Sequence, residues 1–184
     1  MLAQEAASQL GLERVILVPT GEAPHKRIDP EPGPELRLEL TRLAAGGDEL
    51  LEVSDLEVCR QGPSYSYLTL EALRVERPDD ELIFLMGADI AAELERWEQP
   101  RKVLELARVG IAARPGTSLA DAEAALDRLG AGERLEVVRM PGIDVSSTAI
   151  RERVADGRPV RHLVPDAVAA AIAEHGLYRE AVHA

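Results

Sequence analysis

Ser146, Ser147 and Thr148, followed by Arg151, are the residues of this chain whose types and spacing ask for an anion. If a helix starts here, its first N–H groups have no partner inside the helix and, with the hydroxyls, offer a phosphate site. Arg151 stands about one helical turn beyond Ser147 and Thr148, so its guanidinium can reach the same anion with a fork that fits phosphate oxygens. The same residues also read as an ordinary N-cap followed by a solvated arginine. A second basic cluster, His25, Lys26 and Arg27, lies in the Pro- and Gly-rich loop TGEAPHKRIDPEPGP, and surface solvation is its plain alternative. Gly87 and Asp89 follow an apolar run. The glycine lets backbone approach a ligand, and the aspartate can take ribose hydroxyls or cap a helix. Trp97 can pack the core or stack on a planar base.

These residues need elements to hold them. Leu2, Ala3, Ala6, Ala7 and Leu10 recur at helical spacing before Gly11, so Met1 opens inside a helix with no capping residue ahead of it. Val15 to Val18 and Leu82 to Met86 are short apolar runs of the kind found in strands buried on both faces. The loop after each would lie at the carboxyl end of a parallel strand, where open α/β sheets bind ligands. Between them a helix is expected over Glu35 to Ala45, a strand over Leu51 to Val58, and a helix through Leu70 and Leu73 capped by Ser64 or Ser66. Ala91 to Ala107 should be two helical pieces around Pro100. Val109 to Ala113 and Leu135 to Met140 are further strands, Leu119 to Leu129 an exposed helix, and Pro165 to His175 a last helix after the one that Gly157 ends. The alternation makes a doubly wound parallel sheet with a helical C-terminal cap the expected frame, in one domain spanning 1–184.

Composition narrows the function. With 184 residues, 46% of them hydrophobic, the chain can bury one sizeable core. A formal charge of −12 argues against a nucleic-acid backbone or an anionic membrane as the main partner, so any basic site is local. The single cysteine, Cys59, forms no intramolecular disulfide and no Cys-based zinc cluster, which suits a reducing cytosol. There is no apolar run of about 18 residues, and MLAQEAASQL lacks a basic region followed by an apolar stretch, so neither a span nor a signal peptide is expected. The reading is a soluble, cytoplasmic protein, and it allows a homo-oligomer.

Together the motifs resemble a known family. VPTGEAPHK, EVSDLEV, GPSYSYLTLEAL, FLMGADIAAELERW, ARPGT, DVSSTAIR and LVPDAV with GLY behind it stand in the order and at about the spacing seen in bacterial nicotinate-nucleotide adenylyltransferases. The resemblance runs from residue 1 to Tyr178. It implies a Rossmann-like nucleotidyltransferase fold and a reaction in which ATP and nicotinate mononucleotide give deamido-NAD and pyrophosphate, with Mg²⁺. It also implies residue roles. Ser146, Ser147, Thr148 and Arg151 hold ATP phosphates, and His25 and Lys26 match the PHK loop whose lysine approaches the triphosphate. Gly87, Ala88 and Asp89 match the GAD segment near ribose and phosphate. Trp97 matches the tryptophan that stacks on the pyridine, Arg114 lies in the substrate-side ARPGT, and Ser64, Tyr65 and Ser66 match SYT on the nicotinate side. Ser66 stands where that family has threonine, and Leu68 where it has an acid.

Family members begin with a strand, a glycine-rich turn and an HxGH motif, and none of these occurs here; LAQEAASQLGLERV matches the helix that follows them. The expected fold therefore lacks its first strand. Two function classes stay open: an active adenylyltransferase whose true start lies upstream, or a residual nucleotide-binding protein without turnover. Within the first class, nicotinamide mononucleotide or phosphopantetheine are the alternative acceptors. The expectation is that the 184-residue chain made alone is poorly soluble and essentially inactive. A version longer by about 20 residues, a strand, turn and helix start, should be soluble and active.

Overall fold

The computed structural model describes residues 1–24, 32–131, 135–143 and 145–179. These divide into two compact units, Met1–Val15 with Ser64–Gly142, and Ile16–Pro63 with Ile143–Ala184.

The first unit is built on three parallel strands, β3 (Ile83–Gly87), β4 (Arg108–Ala113) and β5 (Leu135–Arg139), in that spatial order. Parallel neighbours need crossovers, which helices supply. α4 (Ala88–Ala92), a 3₁₀ turn (Leu94–Arg96) and α5 (Pro100–Leu106) join β3 to β4, and α6 (Ala120–Leu129) joins β4 to β5. The core lies between this sheet and its helices. Leu94, Val103, Val109, Ile111 and Leu126 are almost wholly buried, each contributing about 1.5–3 kcal/mol of transfer free energy. α1 (Leu2–Leu10) is stopped by Gly11, whose φ of 65° a residue with a side chain adopts only at a cost. The sheet meets α1 at Gly110, where a Cβ would stand 2.5 Å from Leu85 Cδ2 and 3.7 Å from Leu10 Cδ1. The Gln9 amide donates to Arg139 O (2.9 Å) and accepts from Arg139 N (2.9 Å). It thereby satisfies backbone on the open edge of β5 in the way a further strand would. Also in this unit, α3 (Ser66–Glu76) packs on α5.

In the second unit β1 (Val15–Leu17) pairs with β2 (Leu51–Val53). α2 (Pro34–Ala45) starts on Pro34 behind Gly33 and faces α8 (Asp166–Glu174), with Leu38, Val168 and Ile172 buried. α7 (Ser147–Ala155) belongs to this unit as well.

Several expectations change. The strand predicted over Leu51 to Val58 stops at Val53 because the chain turns, with Cys59 N donating to Asp55 O at 2.9 Å. Pro100 does not kink a helix: it begins α5 after Gln99 takes the left-handed conformation (φ 48°), and the preceding segment is split again by the 3₁₀ turn. Neither Ser64 nor Ser66 caps α3, whose N-cap position is Tyr65, without a side-chain hydrogen bond. α6 is not exposed all round, since it buries Ala122, Ala125 and Leu126.

Arg128 on α6 donates to Glu95 three times, at 3.0, 2.9 and 2.7 Å. This bonding holds the Glu95 carboxyl below the ordinary glutamate value of 4.5. A pKa lowered by folding means that the pair's contribution is complete above the unfolded value and is lost as pH falls through the folded one. Glu95→Gln should therefore flatten the acid side of the melting temperature against pH, by a small amount for so exposed a pair. Identical acid slopes in the two proteins would contradict the assignment.

Candidate functional site

The start of α7 is capped by Ser146. Ala149 N donates to the Ser146 side chain at 3.1 Å, and the helix ladder begins with Ile150 N donating to Ser146 O at 3.0 Å. The N–H groups of Ser147 and Thr148 lie ahead of that ladder, and both residues are exposed. Arg151 Nη2 donates to Thr148 Oγ1 at 3.2 Å, which turns the guanidinium back toward the same helix end. Ile150 is buried and anchors the first turn; the far end is fastened by Arg153, which donates to Pro159 O at 3.0 and 2.9 Å. The cap reading is borne out, and the same helix end presents the hydroxyls of Ser147 and Thr148 beside the Arg151 guanidinium. The geometry puts one positive guanidinium, two hydroxyls and amide donors that have no partner among the described residues at a positive helix end, an arrangement that attracts phosphate oxygens.

Also in the second unit, Arg37 of α2 grips the loop behind β1. Its Nε and Nη2 donate to Thr20 O (3.0 and 2.6 Å), and Nη2 also donates to Gly21 O (2.6 Å). Burial lowers its pKa from the ordinary arginine value, with Tyr178 acting the other way. Arg37→Met should cost about 1.5–3 kcal/mol in chemical denaturation, the range for charge-assisted hydrogen bonds. A loss of a few tenths would show that the loop finds other partners. The expected phosphate-facing residues of this loop, His25 and Lys26, lie outside the described residues.

The first unit holds the other candidates. Gly87 ends β3 and Ala88 and Asp89 open α4, so the expected GAD segment lies at the carboxyl edge of the sheet. Asp89 does not cap this helix, whose N-cap position is Gly87; its carboxylate folds back so that a Cβ on Gly87 would stand 2.5 Å from Oδ1. Arg114 lies at the same edge. Gly87 pairs in register with Ala112, and Arg114 is exposed in a turn closed by Thr117 N donating to Arg114 O at 3.0 Å. Pro115 and Gly116 (φ 81°) in the middle of that turn are the residues a type II turn requires. Trp97 is half-buried and meets Phe84 of β3 edge to face, 5.9 Å between ring centroids, so one part of the indole packs the core. Tyr65 stacks on Tyr67 at 6.1 Å.

Residues that periodicity did not single out support these. Arg37, Tyr67, Phe84 and Lys102 all act through contacts distant in sequence or set by a helix start. The one signal available was the scarcity of aromatics, five in the chain, which makes each of them worth placing.

Residues 1–153 match the cytidylyltransferase-like family. The chain is 42% identical over 179 residues to the probable nicotinate-nucleotide adenylyltransferase of Roseiflexus sp. strain RS-1, covering 97% of this chain and 89% of the relative. It is 41% identical over 180 residues to the protein of the same name from Roseiflexus castenholzii, covering 97% and 89%. Among solved structures it is similar to Plasmodium falciparum nicotinic acid mononucleotide adenylyltransferase complexed with NaAD, with a TM-score of 0.73 and 15% identity over 95% of this chain and 87% of that one. At that identity the likeness speaks for the fold, which is the α/β nucleotidyltransferase fold. With a family match over residues 1–153 and relatives above 40% identity along nearly its whole length, the chain belongs to the nicotinate-nucleotide adenylyltransferases, within the cytidylyltransferase-like family.

Proposed function

We propose that this chain belongs to an enzyme that transfers the adenylyl group of ATP to nicotinate mononucleotide. The mononucleotide phosphate attacks the α-phosphorus in line; the new P–O bond forms as the bond to the bridging oxygen of pyrophosphate breaks, giving deamido-NAD and pyrophosphate. Chemistry of this kind is carried by positioning and charge neutralisation and needs no side-chain nucleophile. The observation that carries the reading is the start of α7, where the first N–H groups of the helix, the hydroxyls of Ser147 and Thr148 and the Arg151 guanidinium converge. In this reading Arg151, the helix start with its Ser146 cap, and His25 hold the ATP phosphates, and Lys26 neutralises the leaving pyrophosphate. Gly87, Ala88 and Asp89 meet ribose and phosphate. Trp97 stacks on the pyridine, and Ser64, Tyr65, Ser66 and Arg114 complete the acceptor side.

Mg²⁺ is read as arriving with the ATP phosphates. Among the described residues no group of three or more His, Cys, Asp or Glu is placed to hold a metal ion. No helix of the described residues is long and apolar enough to cross a membrane. The acidic charge of −12 favours small-molecule partners over nucleic acid, and the single cysteine suits the reducing cytoplasmic setting proposed for it.

The test compares acceptors. Coupled pyrophosphate release should be faster with nicotinate mononucleotide than with its amide. Equal or better rates with the amide would remove the acceptor assignment and leave the reaction class standing.

A further inference from the structure

Four of the five aromatic residues stand in two pairs, Tyr65 with Tyr67 and Phe84 with Trp97. The first pair is unexpected on helix geometry, because side chains two positions apart on a helix point away from each other. Tyr65 escapes that rule by standing just outside α3, with an extended backbone (φ −84°, ψ 131°). Its carbonyl accepts the first helical hydrogen bonds, from Leu68 N (3.1 Å) and Thr69 N (3.4 Å), while no side chain caps the helix. The ring of Tyr65 lies against the ring of Tyr67, the two planes 20° apart.

Tyr67 is itself braced. It packs with Leu82, Phe84 and Leu106 on the cluster of Leu70, Val103 and Ala107 that joins α3 to α5. Lys102 of α5 places its ammonium 5.6 Å from the Tyr67 ring centroid and forms an ion pair with Glu71 of α3. Hydrogen bonding to Glu71 raises the Lys102 pKa, so the side chain stays a cation wherever the protein is folded at ordinary pH. The result is a column, Glu71 to Lys102 to Tyr67 to Tyr65, that ends on a residue of the acceptor side.

We propose that Tyr67, braced by Lys102, is a positioning residue that fixes the Tyr65 ring for the pyridine mononucleotide and so sets acceptor affinity without touching ATP. This rests on the assignment of Tyr65 to the acceptor side made above. The column predicts a division that a merely structural role would not give. Lys102→Met should raise the KM for nicotinate mononucleotide about 2–5-fold, the scale of a half-exposed cation–π contact. Tyr67→Leu should raise it about 2–10-fold, the scale of an aromatic pair. In both variants kcat and the KM for ATP should stay at the parental values. Tyr67→Phe, which keeps the ring, should behave like the parent. If Lys102 acts through Tyr67, the double variant should be no worse than Tyr67→Leu alone.

The experiment is steady-state kinetics on the full-length protein and its variants, with equilibrium binding of nicotinate mononucleotide followed by the fluorescence of Trp97, the single tryptophan. Unchanged acceptor KM, equal rises in both KM values, or additive effects in the double variant would each overturn the inference and leave the proposed function intact. A parent protein that neither binds nor turns over nicotinate mononucleotide would overturn the proposed function and this inference with it.

Discussion

Arg151→Ala is expected to lower turnover by about two to three powers of ten, the effect of removing one charged contact to the transition state, while the melting temperature stays near that of the parent. The stability half of this expectation comes from the local geometry. Among the described residues the one hydrogen bond of the guanidinium goes to Thr148 Oγ1 on its own helix, three residues away and exposed, so truncation leaves no buried group without a partner. The helix start is held instead by the Ser146 cap and by buried Ile150, which the substitution does not touch. Arg151→Lys should fall between the two, because an ammonium supplies charge without the two-pronged geometry that matches phosphate oxygens. Assays of activity per folded molecule alongside thermal melts would separate the two halves. An early-melting variant with full activity per folded molecule would make Arg151 a structural residue.

Leu126→Ala should destabilise the protein by about 2–5 kcal/mol, the cost of deleting a fully buried leucine and leaving a cavity. Leu126 is 0% exposed and packs in the cluster with Met86, Leu94, Val109 and Ile111. A denaturant midpoint shift equivalent to less than about 1 kcal/mol would mean that the site collapses around the smaller side chain. The residue also shows where sequence reading went astray. ADAEAALDRL looks polar because its buried stripe, Ala122, Ala125 and Leu126, is two-thirds alanine. The i, i+3, i+4 spacing was present, but small residues signal a close helix approach more weakly than leucines do.

What could be read in advance were elements with a local cause. Val109 to Ala113 is a continuous apolar run, and it forms the centre of the parallel sheet. Gly11 ends α1 in the left-handed conformation that its place behind a helical repeat suggested. Ser146 caps α7 and Arg151 turns back along it because both follow from spacing within one helical turn. The strand at Leu51 was overextended because apolar and polar residues go on alternating through the turn at Asp55, where periodicity cannot see the reversal. The grip of Arg37 on Thr20 and Gly21 and the bracing of Tyr67 by Lys102 were hidden for another reason. Both join residues whose meeting depends on how elements pack, and no spacing within a single element encodes that. The residues proposed for the acceptor side can be named from the sequence, whereas the contacts of Tyr65 with Tyr67 and of Trp97 with Phe84 cannot.

The central claim is that the enzyme to which the chain belongs joins an adenylyl group to a pyridine mononucleotide. Product identification tests it most directly: the full-length protein is incubated with ATP and nicotinate mononucleotide, and the products are separated by chromatography and identified by mass. Deamido-NAD and pyrophosphate forming in equal amounts, with the rates of both falling together in Arg151→Ala, is the predicted result. ATP consumed with no deamido-NAD formed, or no reaction of ATP in the presence of the mononucleotide, would contradict the claim.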